Sequence, residues 1–201
     1  MSSIRRSPRV LVLTLAASSV LPAQQPAPTL VTTGQLTISG HQTPYRIRYL
    51  PTTSFPDLPP EVALQLTQRS CLIPQTYEAH QPENVIHASL ERPGSSDWAI
   101  LCSAEGTVSL LVFFASAPTT PMTLATAPET QRLQAHNGTS ILGFNWGIDP
   151  ASPEAIRQAQ IGLQPRPDRM THDALADSVI DHATLYHYFK NGAWSLLPHP
   201  N

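Results

Sequence analysis

Cys71 and Cys102 are the only cysteines in this chain, and 31 positions separate them. Whether they cross-link depends on the compartment, and the first residues speak to that. Arg5, Arg6 and Arg9 precede an apolar run from Val10 to Val20, and Leu21-Pro22-Ala23 supplies a small-residue exit. This is the three-part pattern of a secretory signal peptide, with cleavage expected near Ala23. The apolar run is about half of the roughly 20 residues that a membrane-spanning helix needs, so no stable membrane anchor is expected after cleavage. A periplasmic or secreted location is oxidising, and a Cys71–Cys102 disulfide is the expected outcome. Closing that loop stabilises a fold by roughly 3–4 kcal/mol in the chain-entropy picture. The rival reading, a cysteine nucleophile beside a histidine, ranks below the bridge.

Removing residues 1–23 deletes three arginines and no acid, so the formal charge moves from −2 to −5. Lys190 is the single lysine, and the remaining arginines are scattered. No basic stripe exists to neutralise phosphates or anionic lipid heads, which argues against nucleic acid and membrane surfaces as partners. Gln24 to Thr33 reads as a flexible lead-in, and residues 34–201 as one domain. Apolar residues at 41% suffice for a core, while 13% charge and 21 prolines favour a loop-rich extracytoplasmic domain over a bundle of long helices.

Local patterns predict mixed elements. Gln35 to Tyr49 alternates around Ser39-Gly40-His41-Gln42, which is a hairpin pattern. Pro59-Pro60-Glu61 opens a short helix to about Arg69, with proline in its first turn. Val85–Leu90, Trp98–Ser103 and Thr107–Ala115 read as an antiparallel meander joined by Pro93-Gly94-Ser95-Ser96 and Ala104-Glu105-Gly106. The third strand is apolar on both parities, so it should be covered on both faces. Pro118 to Pro128 reads as an irregular loop, and His136-Asn137-Gly138 as a hairpin turn. A helix is expected from Ser152-Pro153-Glu154 to about Gln160, and another from Thr171 to Asp181 with Leu175, Val179 and Ile180 on its apolar side. Lys190-Asn191-Gly192 marks a final hairpin, whose Tyr186, Tyr188, Phe189 and Trp194 suit core packing better than a ligand box. The sum is an α+β domain, with an antiparallel sheet of hairpins, a few short helices and one disulfide.

Motifs that carry chemistry are few in this sequence. No phosphate-binding glycine loop, nucleophile elbow or zinc-binding helix motif occurs. His182 and His187 with Asp181, and His80 with His87, are spaced in ways that do not aim them at one ion, so no metal site and no cofactor are expected. Asp173, Asp177 and Asp181 read as an exposed stripe on a helix, and Asn137-Gly138-Thr139 as a turn that incidentally fits a glycosylation acceptor pattern. No catalytic residue is assigned. The leading expectation is a non-enzymatic exported domain that binds a protein or a cell-envelope component. The alternative is a cell-envelope hydrolase, with His87, Asp97 and Ser103 as the residues to inspect.

Cys71-Leu72-Ile73-Pro74-Gln75, Asn84-Val85-Ile86 and Asp97-Trp98-Ala99-Ile100-Leu101-Cys102-Ser103 together resemble a pattern of uncharacterised exported bacterial proteins. The resemblance covers roughly Leu58 to Phe114; it implies export and supplies no activity. Val85 to Val112 also looks like one blade of an FG-GAP-type propeller. Pro93-Gly94-Ser95-Ser96-Asp97 has too few acids to hold calcium, however, and no second copy is visible, which argues against that architecture.

Overall fold

The computed structural model describes residues 29–136, 138–165 and 167–198. The expected signal peptide, the start of the lead-in and Asn137 lie outside them. In chain order the elements are β1 (Leu30–Ile38), β2 (His41–Pro51), α1 (Pro60–Gln68), β3 (Leu72–Gln75), β4 (Val85–Ala88), β5 (Asp97–Ala104), β6 (Thr107–Phe113) and β7 (Met122–Pro128). There follow β8 (Leu133–Ala135), β9 (Leu142–Phe144), β10 (Trp146–Ala151), α2 (Pro153–Ala159), β11 (Ala174–Val179), β12 (Ala183–Lys190) and β13 (Ala193–Leu196).

The α+β expectation is therefore corrected. With 48% strand and 14% helix, the fold is β-rich. Thr171 to Asp181, expected as a helix, contains β11, which pairs with β10 on one side and β12 on the other. Its acids and apolar residues recur at helical spacing, but pairing on both edges decides the backbone, as tertiary context overrides weak local propensity. Asp177 consequently sits buried and not on an exposed stripe. The stretch expected as an irregular loop holds β7, the neighbour of β6. Leu30 to Thr33 belong to β1.

One sheet runs β7-β6-β5-β3-β2-β9-β8, with β1 beside β2 and β4 beside β5; the second runs β10-β11-β12-β13. Strand alternation sorts the core. Ala99 and Leu101 of β5, with Val108, Leu110 and Val112 of β6, join Trp146, Ile148 and Leu175 of the second sheet in one cluster. The opposite face of β5 and β6 places Ile100, Cys102, Leu111 and Phe113 against Val62 and Leu66 of α1. β6 is thus covered on both faces, as its two-sided apolar pattern requires. On the far side of the second sheet, Ala151, Ala174, Ala176 and Tyr188 pack with Ile156 of α2.

Two devices hold the layers. Cys71, just beyond α1, is bonded to Cys102 on β5 with their Cα atoms 5.1 Å apart, so the disulfide ties the helix to the sheet beneath it. A disulfide points to a non-cytoplasmic location. Asn84, at φ 66°, joins the two sheets. Its Nδ2 donates to the carbonyls of Pro74 at 2.7 Å and Trp146 at 3.2 Å, while its Oδ1 accepts from Ile148 N at 3.1 Å. The buried amide side chain is satisfied at both ends, as burial demands. No helix among the described residues is long and apolar enough to cross a membrane.

Candidate functional site

His87 on β4 lies opposite Trp98 on β5. Their rings stack with centroids 4.7 Å apart and an interplanar angle of 21°. His87 Nε2 is 2.6 Å from Ser96 Oγ. With the imidazole proton on Nδ1, Nε2 accepts from the hydroxyl, which is the arrangement that makes a serine oxygen more nucleophilic.

The connection carrying Ser96 is anchored from within. Asp97 is fully buried, and its Oδ2 accepts from Leu90 N at 2.8 Å and Glu91 N at 2.7 Å. Its Oδ1 accepts from Ala115 N at 2.8 Å, and the hydroxyl of Ser95 also bonds the carboxylate. A carboxylate receiving several such bonds is charge-assisted on every side and fixes the backbone around it. The connection between β4 and β5 is consequently a rigid support for Ser96.

His87, Ser96 and Trp98, with Val85, form one wall of an open groove of about 550 Å³. Phe55, Asp57, Leu58 and Pro59, from the segment leading into α1, form the other. The groove is mostly apolar, with an imidazole, a hydroxyl and a carboxylate at its surface. Concave, apolar sites with a few polar groups are the usual form of small-ligand sites.

The three residues selected for a hydrolase reading do not converge. His87 lines the groove. Asp97 lies behind it, committed to backbone N–H groups. Ser103 pairs with Val108 on the face toward the second sheet, where its hydroxyl bonds Glu129 Oε1. Tyr49 donates to the same oxygen at 2.8 Å. Burial, and then Glu129, push the Tyr49 hydroxyl well above its ordinary range, which suits a structural donor and not a proton shuttle. Ser96, the hydroxyl that does meet His87, reads in sequence only as part of a turn. Pairing Val85–Leu90 against Trp98–Ser103 across Pro93-Gly94 is the signal that brings it close.

His182 and His187 do not converge with Asp181. His187 Nε2 is 3.2 Å from Asp177 Oδ2, and Asp177 Oδ1 accepts from Trp146 Nε1 at 2.6 Å. Asp181 instead accepts from Tyr77 at 2.7 Å, and His182 follows it in the turn. Among the described residues no three histidine, cysteine or acidic side chains gather in a way that could hold a metal ion. A second cavity of about 540 Å³ lies beside α2, where Glu154 and Asp168 accompany Arg157 and Arg169. Its lining carries two charges of each sign. No protein-family model, curated protein or solved structure matches this chain.

Proposed function

We propose that this chain is an exported domain that binds a cell-envelope component, of saccharide character, in the groove between Trp98 and the Phe55–Pro59 segment. The observation that supports this reading is the groove's composition: a stacked His87–Trp98 pair faces Phe55, Leu58 and Pro59, with Asp57, His87 and Ser96 as the polar groups. A sugar ring combines apolar C–H faces with hydroxyl edges, and such a slot offers partners for both. The export signal at residues 1–23, cleavage near Ala23 and periplasmic or secreted delivery belong to the same proposal. The disulfide supports it, because the bond persists only outside reducing compartments.

Calorimetric titration of the mature protein with soluble cell-wall glycan fragments tests the reading. Trp98→Ala should abolish the heat of binding, whereas Leu185→Ala, on the distant β12, should leave it intact. Binding that survives Trp98→Ala would reject the groove as the site.

The 2.6 Å contact between Ser96 and His87 favours a second reading, an envelope hydrolase. Labelling of Ser96 by a fluorophosphonate, lost in His87→Ala, would support it; an unlabelled native protein would remove it.

A further inference from the structure

β1 is an edge strand of a kind that folded proteins usually guard. It pairs with β2 on one side, and no other strand among the described residues pairs with it. From Leu30 to Tyr45 the chain contains no aspartate, glutamate, lysine or arginine. Leu30, Val31 and Ile38 are 45%, 44% and 45% exposed. Natural edges are blunted with charge, proline or a bulge, because an open row of N–H and C=O groups templates pairing with another chain. β1 has none of these.

The strand's sequence is matched to itself. In Leu-Val-Thr-Thr-Gly-Gln-Leu-Thr-Ile, Gly34 is central, and antiparallel pairing about it sets Leu30 opposite Ile38, Thr32 opposite Leu36 and Val31 opposite Thr37. Each is a favourable cross-strand pair of apolar or β-branched residues. The hydrogen-bonding edge agrees. Ser39 and Gly40 have φ 50° and 83°, so β1 and β2 are joined by a two-residue turn closed by the Ile38–His41 pair. Antiparallel bonding alternates along a strand, so even-numbered residues of β1 bond β2 while Val31, Thr33, Gln35 and Thr37 direct their N–H and C=O outward. Pairing about Gly34 sets these four opposite one another. The glycine is also covered: a Cβ there would lie 2.5 Å from the Tyr45 ring, so its bare backbone is roofed by an aromatic ring on the face toward the sheet interior.

We propose that β1 pairs with β1 of a second copy of this chain, antiparallel and symmetric about Gly34, to give a twofold dimer with one continuous sheet. A second copy fits better than a charged partner, since the strand offers no charge to recognise one. It also meets the requirement of a twofold interface, that each residue find its counterpart on the same patch. This inference is independent of the groove.

Sedimentation velocity of the mature protein, followed over a concentration series, tests it. The native protein should dimerise. Val31→Glu with Thr37→Glu sets like charges opposite each other twice and should weaken association by roughly tenfold or more, with the unfolding transition retained. Val31→Glu with Thr37→Lys turns those pairs into opposite charges and should restore the dimer. A native protein that stays monomeric at submillimolar concentration, or a dimer that responds equally to both double variants, overturns the proposal.

Discussion

Asp97 Oδ1 accepts the backbone N–H of Ala115 at 2.8 Å, so the carboxylate that opens β5 also closes the end of β6. Its other oxygen serves Leu90 and Glu91, behind the connection that carries Ser96. Asp97→Ala strands these donors in a dry site and should cost roughly 3 kcal/mol or more, read from the urea midpoint. The same change should weaken ligand binding in the groove, although Asp97 does not line it. Full stability in the variant would mean that the connection is held by other means.

Reduction of Cys71–Cys102 should destabilise the domain by roughly 3–4 kcal/mol, through the freedom returned to the unfolded chain. Both sulfurs are buried between α1 and the sheet. Denaturant unfolding with and without reductant, compared with the Cys71→Ala/Cys102→Ala variant, measures this. Equal midpoints in all three would show the bridge to be energetically idle.

Gly143 has no room for a side chain. A Cβ there would stand 2.5 Å from Tyr77 Cβ. Gly143→Ala should therefore cost about 1–3 kcal/mol by forcing Tyr77 or the β9 backbone aside. Adding Tyr77→Gly, which removes the contacting Cβ, should remove most of the penalty specific to Gly143→Ala, because residues in contact do not behave additively. A thermal-denaturation cycle of the two changes decides the point, and simple additivity would contradict it.

The Tyr77 hydroxyl is pushed up to about 12, by burial first and by its bond to Asp181 second. A folded-state value raised above the ordinary one, near 10, means that the contribution is complete below about pH 10 and is lost as pH rises through about 12. Ultraviolet titration of tyrosinate should show late ionisation from both Tyr77 and Tyr49, and Tyr77→Phe should remove one tyrosine's share of it, leaving that of Tyr49. A native titration in which Tyr77 ionises at the ordinary tyrosine value, near 10, would refute the contact.

Much of the first sheet was legible because its signals are local. Pro93-Gly94 and Glu105-Gly106 punctuate apolar runs of strand length, and Glu105 and Gly106 do adopt positive φ. Asn191-Gly192 marks the β12–β13 turn in the same way. β11 was not legible. Leu175, Val179 and Ile180 fit a helical stripe, and only pairing with β12, the next strand, and with β10, more than twenty residues earlier, settles the matter. Pro74 in β3 and Pro150 in β10 hid those strands behind a residue that usually marks an end. The site was half legible: His87 was among the residues singled out, but its partner depends on strand register. Asp97 is an acid in the same stretch as His87, while its burial commits it to backbone N–H groups.

The chain has three tryptophans, Trp98, Trp146 and Trp194, and only Trp98 lines the groove. Trp146 is fully buried between the sheets, and Trp194 packs beside Phe114 and Phe189. Their indole N–H resonances, followed by two-dimensional NMR during titration with cell-wall glycan fragments, test the proposed binding site most directly. The Trp98 resonance should shift while those of Trp146 and Trp194 stay in place. A fixed Trp98 signal in the presence of saturating fragments, or a shift confined to Trp146 or Trp194, would contradict the assignment of the groove.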